Sequence, residues 1–335
     1  MKQVSKYYTA VFILAITLPA CRKSDDGINK QPDVYIAGYE NNGITHIAKY
    51  WKNEGIINLT DGVNIGFTTG IAVQGDDVYV SGWENKLTGV GYKISARYWK
   101  NGIVTILGDV NQSLANGIAL MGNDVYVVGY EYNGINNVAR YWKNGAAANL
   151  TDGSQYAEAN AIAIQGSDVY IAGQEGNIAK IWKNGVAMNL TDGASEASAR
   201  SIAVTGNDVY AAGFEKKGNT EVAKYWKNGI PFILTDGTKY SMANGIAVEG
   251  SNVYVAGFET DNGKRVARLW KNGVAAILGD GAGGTIATAV ALWGNDVHVV
   301  GYSYLPYSTR YWKNSSDVES MNGLKGTFTA LVIGK

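Results

Sequence analysis

The chain has 335 residues, with 29 Lys and Arg, 29 Asp and Glu, two His and one Cys. This balanced charge gives no electrostatic attraction to nucleic acid or to an anionic membrane surface, so neither is expected as a partner. One Cys and two His are too few for a disulfide framework or a zinc site, and the sequence predicts no metal and no other cofactor.

The first 20 residues have the pattern of a signal peptide. Lys2 and Lys6 form a basic start, and an apolar run of nine residues follows at 10–18. Nine residues are too few to span a bilayer as a helix, which favours a cleaved export signal over an anchoring helix. Residues 1–20 are therefore predicted to be removed from the mature protein.

The end of this run resembles the lipobox of bacterial lipoproteins. It reads Leu18-Pro19-Ala20-Cys21 and contains the only Cys of the chain, although Pro19 departs from the small residue usual at its position. The resemblance implies cleavage before Cys21 and a lipid on its side chain. Residues 21–32 are then a polar tether, whose acidic pair resembles the surface-export signal of some Gram-negative lipoproteins. The expected location is the outer membrane of the cell envelope, with the lipid as the membrane contact.

From residue 33 onward the sequence repeats in steps of 40 to 47 residues. A [DN]-V-[YH] segment recurs seven times, with its Val at Val34, Val78, Val125, Val169, Val209, Val253 and Val297. A W-K-N segment recurs as often, at Trp51, Trp99, Trp142, Trp182, Trp226, Trp270 and Trp312. Internal repeats of this length are typical of solenoids and propellers.

Each repeat contains four short strands, which we call A to D. In the second repeat they are predicted at 70–73, 77–82, 96–100 and 103–107. Gly-polar-Asp turns join A to B. Asn-Gly turns, as at 144–145, join C to D, because both residues tolerate the positive φ of a tight hairpin. Four strands in a period of 40–45 residues are typical of a propeller blade.

The A and B strands, such as 244–248 and 252–257, resemble the blades of NHL-repeat and related bacterial propellers throughout residues 33–335. The resemblance implies a fold and no particular activity, because propellers host many unrelated functions. The first repeat lacks an A strand, whereas 329–334 match an A strand with no B strand after it. The sequence therefore predicts an all-β, seven-bladed propeller of four-stranded blades, closed by the C-terminal strand completing the N-terminal blade.

The two faces of the predicted ring differ in their connections. The A–B and C–D turns have constant length in the complete repeats, whereas the B–C loops, which lie beside the D–A crossovers, vary. We call these the regular face and the variable face. Ligands usually bind at variable loops on a rigid scaffold, so the variable face is predicted to face the ligand.

Oppositely charged residues recur on strands B and C. A Glu lies two residues past the strand-B Gly in six repeats, at Glu40, Glu84, Glu131, Glu175, Glu215 and Glu259. Strand C carries a basic residue in all seven, at Lys49, Arg97, Arg140, Lys180, Lys224, Arg268 and Arg310. We expect cross-strand ion pairs, each contributing about 0.2–1 kcal/mol. The alternative is a ring of general acids, although catalysis by carboxylates needs two with different roles.

Blade seven departs from the repeat. Ser303 replaces the Glu and leaves Arg310 without its expected partner, and Tyr302, Tyr304 and Tyr307 surround the same loop. A planar guanidinium beside aromatic rings suits a sugar face or an anionic group. The alternative is that Arg310 finds another acceptor and the Tyr residues only cover a blade edge.

Blades one and two adjoin blade seven in a closed ring and extend this candidate site. His46 lies in the B–C loop of blade one, and Trp83 of blade two precedes the longest loop, which carries Tyr92. His298 of blade seven replaces a core Tyr, and we expect it to be packed rather than to face the channel.

A second candidate site lies at the mouth of the central channel. The residue that opens strand A is polar in every repeat, at Thr69, Asn116, Asn160, Arg200, Asn244, Thr288 and Thr329. Of these, Asn116, Asn160, Arg200 and Asn244 are candidates for orienting a small ligand. The alternatives are hydrogen bonds to strand-end backbone and a water-filled funnel. The absence of a carboxylate from the set argues against Ca²⁺.

The sequence favours a non-catalytic recognition module for a glycan, a peptide or a partner protein of the envelope, with no residue assigned a catalytic role. The alternative is an extracytoplasmic saccharide-active enzyme, a lyase or a hydrolase, built from His46, His298, Arg310 and Tyr residues. A structural subunit of an envelope complex is a third hypothesis, which an exposed apolar patch on the regular face would favour.

Overall fold

The computed structural model describes residues 31–89, 91–108, 112–281, 284–318, 321 and 323–334. They form seven antiparallel four-stranded sheets arranged in a ring, which confirms the predicted all-β propeller. No helix among these residues is long and apolar enough to cross a membrane. The predicted signal peptide at 1–20 and the proposed lipid site Cys21 lie outside the described residues.

The strands of each blade run in the order A to D from the channel outward. Blade one contains β28 (Gly326–Gly334), β1 (Asp33–Asn41), β2 (His46–Lys52) and β3 (Gly55–Asn58). Blade two contains β4 (Ile65–Gln74), β5 (Asp77–Thr88), β6 (Gly91–Lys100) and β7 (Ile103–Ile106). Blade three contains β8 (Ser113–Met121), β9 (Asp124–Tyr132), β10 (Asn137–Lys143) and β11 (Ala146–Asn149).

The remaining blades follow the same order. Blade four contains β12 (Ala157–Gln165), β13 (Asp168–Glu175), β14 (Ile178–Lys183) and β15 (Val186–Asn189). Blade five contains β16 (Ala197–Thr205), β17 (Asp208–Lys217), β18 (Thr220–Lys227) and β19 (Ile230–Ile233). Blade six contains β20 (Ser241–Glu249), β21 (Asn252–Asp261), β22 (Lys264–Lys271) and β23 (Val274–Ile277). Blade seven contains β24 (Thr285–Trp293), β25 (Asp296–Tyr304), β26 (Tyr307–Lys313) and β27 (Ser316–Asp317).

The ring is closed by its two ends, as predicted. Strand β28 pairs antiparallel with β1, so that Ala330 lies opposite Ala37 and Gly334 opposite Asp33. The last strand of the fold therefore supplies strand A of the first blade. This pairing covers the strand edge that an open ring would leave without hydrogen-bond partners.

The W-K-N and [DN]-V-[YH] segments form one hydrogen-bonded unit on the regular face. In blade three, the Asn144 side chain accepts a hydrogen bond from the Val125 N–H at 2.8 Å and donates one to Asp124 at 2.7 Å. Lys143 binds the same carboxylate at 2.8 Å, and its Nζ lies 5.3 Å from the centroid of the Tyr126 ring. Asn144 has a φ of 50°, in the left-handed region that Asn tolerates. Turn hydrogen bonds and ion pairs thus explain why the W-K-N and [DN]-V-[YH] segments recur in every repeat.

The repeated tryptophans form the core between blades. Each W-K-N Trp is at most 2% exposed. Trp142 of blade three, for example, packs in one cluster with Ala72 and Tyr79 of blade two. Because aromatic side chains of this size bury roughly 150–250 Å² each, one Trp per blade supplies a large share of the contact between neighbouring blades.

Strand B requires Gly at one position because strand A bulges against it. In blade three, the register of β8 and β9 shifts between Ala115 and Gly117. A Cβ on Gly129, opposite this shift, would lie 1.9 Å from the Leu114 carbonyl oxygen. The bulge leaves Asn116 outside the ladder, which frees its side chain to point away from the sheet.

Candidate functional site

The bulge residues are the seven polar residues predicted to open strand A, and most of them join neighbouring blades. The register skips one of them in each blade. Asn116, Asn160 and Asn244 each donate a side-chain hydrogen bond to a backbone carbonyl of the next blade, at 3.0, 2.9 and 2.9 Å. These three ligand candidates therefore bond to backbone, which is one of the alternatives that the sequence left open.

Arg200 is the one charged residue among the seven bulge residues. It lines both a cavity of about 60 Å³ at the channel mouth and a neighbouring cavity of about 530 Å³. Burial lowers the pKa of Arg200, whereas the nearby charges of Glu221 and Glu158 raise it. Because a guanidinium keeps its proton in proteins, Arg200 places a fixed positive charge between the two cavities.

The larger cavity lies mainly between blades four, five and six. Gly176 and Asn177 of a B–C turn line it, so it is situated on the variable face. Its apolar lining consists of Phe214, Met242, Phe258, Ile286 and Tyr302. Its charged lining consists of Glu158, Glu196, Arg200, Glu221 and Arg265. The cavity therefore combines an apolar surface with charges of both signs.

Tyr240 connects two of these charged groups. The Glu221 carboxylate lies close to its hydroxyl, and burial, followed by the Glu221 charge, raises the pKa of Tyr240 to about 12. The Arg265 guanidinium carbon lies 5.5 Å from the centroid of the Tyr240 ring and 4.8 Å from that of Phe258. Two aromatic faces thus hold Arg265 against the wall of the cavity.

The other two carboxylates of the cavity have partners. Glu196 forms an ion pair with Lys216. Glu158 accepts hydrogen bonds from the Tyr156 hydroxyl and, at 3.2 Å, from the Asn137 amide. These contacts fix the two carboxylates at the side of the cavity that blades four and five form.

The sequence analysis identified only part of this site. It included Arg200, Asn244 and Tyr302. It did not include Gln174, Glu221, Tyr240 or Arg265. Aligning the repeats shows a signal that could have found it. The residue after the strand-B Gly is aromatic in six blades, at Tyr39, Trp83, Tyr130, Phe214, Phe258 and Tyr302, whereas blade four has Gln174. The residue three before the strand-C basic residue has no consensus, at His46, Ile94, Asn137, Asn177, Glu221, Arg265 and Tyr307.

The aromatic residues of blades one and two pack against one another. His46 stacks on Phe67 with ring centroids 4.9 Å apart, and Phe67 stacks on Trp83 at 4.3 Å. Tyr39 meets Phe67 edge-on at 4.5 Å. Trp83 is only 8% exposed, and burial lowers the pKa of His46. Here aromatic rings cover the faces that a sugar would need.

Blade seven separates its predicted site residues between two faces of the sheet. Gly301 pairs with Arg310 and Tyr302 with Thr309, so side-chain alternation places Tyr302 and Arg310 on opposite faces. Tyr302 lines the cavity of about 530 Å³ instead. The Nε atom of Arg310 is buried and has no hydrogen-bond partner within the part of the chain that the structure describes.

The tyrosines of that site lie near one another: Tyr304 pairs with Tyr307, and the ring centroids of Tyr302 and Tyr307 are 6.3 Å apart. The Tyr304 hydroxyl accepts a hydrogen bond from the Arg265 backbone N–H at 3.0 Å. Tyr307 is hydrogen-bonded to Thr327 at 2.8 Å. Tyr92 is 64% exposed on β6. The three tyrosines of blade seven therefore share the face of the sheet opposite Arg310, and Tyr92 belongs to blade two.

His298 is packed, as expected from its position in the repeat. It is 3% exposed, and its Nδ1 lies 2.5 Å from the Tyr311 hydroxyl. Burial lowers the pKa of His298 to about 4, so the imidazole is neutral at physiological pH. Neither this side chain nor that of His46 or Arg310 lines the cavity of about 530 Å³.

The six predicted Glu–basic pairs on strands B and C all form. In blade three, for example, Arg140 binds Glu131 at 2.6 Å. These carboxylates serve as hairpin partners of the neighbouring strand. Across the described ranges of the chain, no three His, Cys, Asp or Glu side chains are grouped so that they could hold a metal ion.

Exposed apolar side chains occur on the outer D strands. Ile103, Ile230 and Val274 are 76%, 64% and 73% exposed on β7, β19 and β23. They are distributed around the outer rim of the ring, whereas the structural-subunit hypothesis looked for a patch on the regular face.

Comparisons with known proteins add little to this geometry. No protein-family model matches the sequence, and no curated protein matches it. One similar solved structure is the acylaminoacyl peptidase of Pyrococcus horikoshii, with 12% sequence identity and a TM-score of 0.45. The similarity covers 85% of this chain and 50% of the peptidase, so the chain spans about half the length of that protein. A similarity this weak carries no conclusion about activity.

Proposed function

We propose that this protein is a lipid-anchored, non-catalytic recognition module of the cell envelope, and that its ligand binds in the cavity between blades four, five and six. The observation that carries the proposal is the cavity of about 530 Å³, where apolar side chains and charges of both signs converge on the variable face. Ligand sites are commonly cavities of roughly 300–1,000 Å³ with mostly apolar walls and a few polar groups that orient the ligand.

The chemistry of the cavity supports binding over catalysis. Glu158 and Glu196 are engaged with neighbouring side chains, which leaves Glu221 as the remaining carboxylate of the cavity, whereas a hydrolase needs one carboxyl group to donate a proton and another to act as base or nucleophile. Tyr240, with a pKa of about 12, is a poor base near neutral pH. The candidate ligands are a glycan, a peptide or the end of an envelope protein that fits this volume.

The proposal is tested by thermal unfolding of the full chain in detergent with oligosaccharides and short peptides, while the same samples are analysed for products. A ligand at about 100 times its Kd should stabilise the fold by about 2.7 kcal/mol. Tyr156→Ala, which removes a 42% exposed side chain that lines the cavity, should abolish this shift.

The matched control is Tyr132→Ala, which removes a 37% exposed Tyr of blade three that does not line the cavity, and it should leave the shift intact. Product formation would instead support a saccharide-active or other enzyme. A shift that survives Tyr156→Ala and other cavity substitutions would place the binding site elsewhere on the ring.

The membrane anchor is part of the same proposal. Its support is the lipobox-like sequence that ends in Cys21. Mass spectrometry of the membrane-extracted protein should find a mature chain that begins at Cys21 and carries acyl groups, and an unmodified chain with its first 20 residues intact would contradict the anchor.

A further inference from the structure

Glu221 and Arg265 form an unusual pair of charges in the cavity. They occupy the same repeat position on strand C of neighbouring blades, and both line the cavity. Their charges are opposite, yet they form no ion pair with each other within the described residues. Tyr240 lies between them and contacts both.

Each of the two side chains retains unused hydrogen-bonding capacity. Glu221 is 8% exposed, and its Oε2 has no hydrogen-bond partner in the described part of the chain. A buried carboxylate oxygen without a partner is costly, and most such atoms in folded proteins are satisfied. The guanidinium of Arg265 stacks on two rings but forms no hydrogen bond or ion pair with any described residue.

We propose that the cavity recognises a short peptide with free termini, whose ammonium group binds Glu221 and whose carboxylate binds Arg265. This inference rests on the proposed recognition function and specifies its ligand. A peptide supplies one group of each charge, which matches the two unused groups, whereas the hydroxyls of a neutral glycan would leave both charges uncompensated. Phe214, Met242 and Phe258 line the space that apolar side chains of the peptide would enter.

The separation of the two charges limits the length of the peptide. The Arg265 guanidinium carbon is 5.5 Å from the Tyr240 ring centroid, and the hydroxyl of that ring lies close to the Glu221 carboxylate. The guanidinium and the carboxylate are therefore at most about 12 Å apart, since half a ring with its hydroxyl and one close polar contact complete the path. An extended chain advances about 3.3–3.6 Å per residue and each terminal contact adds about 3 Å, so an extended dipeptide or a bent tripeptide fits this distance.

The test is calorimetric titration of the full chain in detergent with Leu-Leu and Leu-Leu-Leu, each with free termini, N-acetylated or C-amidated. Loss of one charge-assisted hydrogen bond should weaken binding about 10- to 100-fold, so each capped form should bind that much more weakly than the free form. This comparison requires no substitution in the protein and is independent of folding defects.

Two charge substitutions assign each terminus to its residue. Glu221→Gln should lower the affinity for free peptides about 10-fold or more but leave the affinity for the N-acetylated form unchanged. Arg265→Gln should likewise lower the affinity for free peptides but leave the affinity for the C-amidated form unchanged. Lys264→Gln, an exposed neighbour that does not line the cavity, is the control and should change neither affinity. A merely structural role of either residue would weaken free and capped forms equally.

The outcomes distinguish this inference from the proposed function. Equal binding of free and capped peptides, or oligosaccharide binding that Tyr156→Ala abolishes while peptides do not bind, would overturn the peptide assignment and leave the recognition function standing. Turnover of the peptides or oligosaccharides, or binding that no cavity substitution affects, would overturn both.

Discussion

Two arcs of the variable face are built on the same repeat and differ in what fills them. In blades one and two, Tyr39, His46, Phe67 and Trp83 pack against one another by stacked and edge-on contacts, with centroid separations from 4.3 to 5.2 Å. In blades four to six, Gln174 interrupts the aromatic series of strand B, and charged residues help to line a cavity of about 530 Å³. We refer to these regions as the packed arc and the open arc.

The comparison shows that aromatic residues on a propeller face do not by themselves mark a binding site. A ring binds a ligand only if its face is free, and in the packed arc the rings carried by strands A, B and C cover one another. Gln174 breaks the aromatic series in blade four, and Glu158 lies directly opposite it on strand A. The informative feature is the interruption of the series rather than the series itself.

The largest expected effect is on stability, and it compares a packed residue with a cavity residue at the same repeat position. Trp83→Ala in the packed arc should lower the free energy of unfolding by about 3–5 kcal/mol, because it deletes a side chain that is 8% exposed. Gln174→Ala, the same position in the open arc, should cost less than about 1 kcal/mol. Urea unfolding of both variants measures the difference, and equal losses would remove the distinction between the arcs.

The second prediction concerns the stability of the fold at acidic pH. Burial lowers the pKa of His298 in blade seven to about 4 from an ordinary value of 6.5. As pH falls below 6.5 the unfolded chain binds a proton that the folded protein accepts only near pH 4, so stability is full above pH 6.5 and decreases across this window. The loss from this group should reach about 3 kcal/mol.

The matched variant is His298→Tyr, which restores the residue that the other six blades have. Its unfolding free energy, measured by urea titration from pH 7 to pH 4, should depend less steeply on pH than that of the parent chain. Identical slopes in the two proteins would show that another group controls the acid sensitivity of blade seven. The pKa of His46 is lowered as well, so His46 adds to the pH dependence of stability in both proteins.

The smallest expected effect tests whether the open arc can be closed. Glu158→Leu combined with Gln174→Tyr gives blade four the residues of blade three, where Leu114 lies opposite Tyr130. The gain from apolar burial is opposed by the loss of the Glu158 contacts with Tyr156, Asn137 and the charge of Arg200, so the unfolding free energy should change by less than about 1 kcal/mol. Ligand-induced thermal shifts should disappear, because the new ring occupies part of the cavity. Unchanged ligand binding would show that the interruption of the aromatic series is not what forms the site.

The fold was predictable from the sequence because every blade repeats one local pattern. Asn-Gly turns, one buried Trp per blade and a Gly opposite each bulge are all short-range signals, and the two chain ends supply complementary halves of one blade. The hairpin ion pairs were predictable for the same reason, since strand pairing alone brings Glu131 to Arg140.

The candidate site was less predictable because it depends on contacts between blades and on side-chain direction. Tyr302 is adjacent to Gly301, the residue that pairs with Arg310, but the Tyr302 and Arg310 side chains point to opposite faces of blade seven. Glu221 and Tyr240 belong to different blades, and only the ring brings the carboxylate to the hydroxyl. A repeat pattern defines what the copies share, whereas this cavity is formed by what they do not share.

The pairing of Asp33 with Gly334 also determines where the chain leaves the ring. Strand β1 starts and β28 ends on the regular face, beside the A–B and C–D turns. A chain held to a bilayer through residues that precede β1 is therefore attached from the side opposite the open arc. With the anchor that we propose at Cys21, the point of attachment lies on the face opposite the cavity mouth, so lipid attachment would leave the site accessible to its ligands.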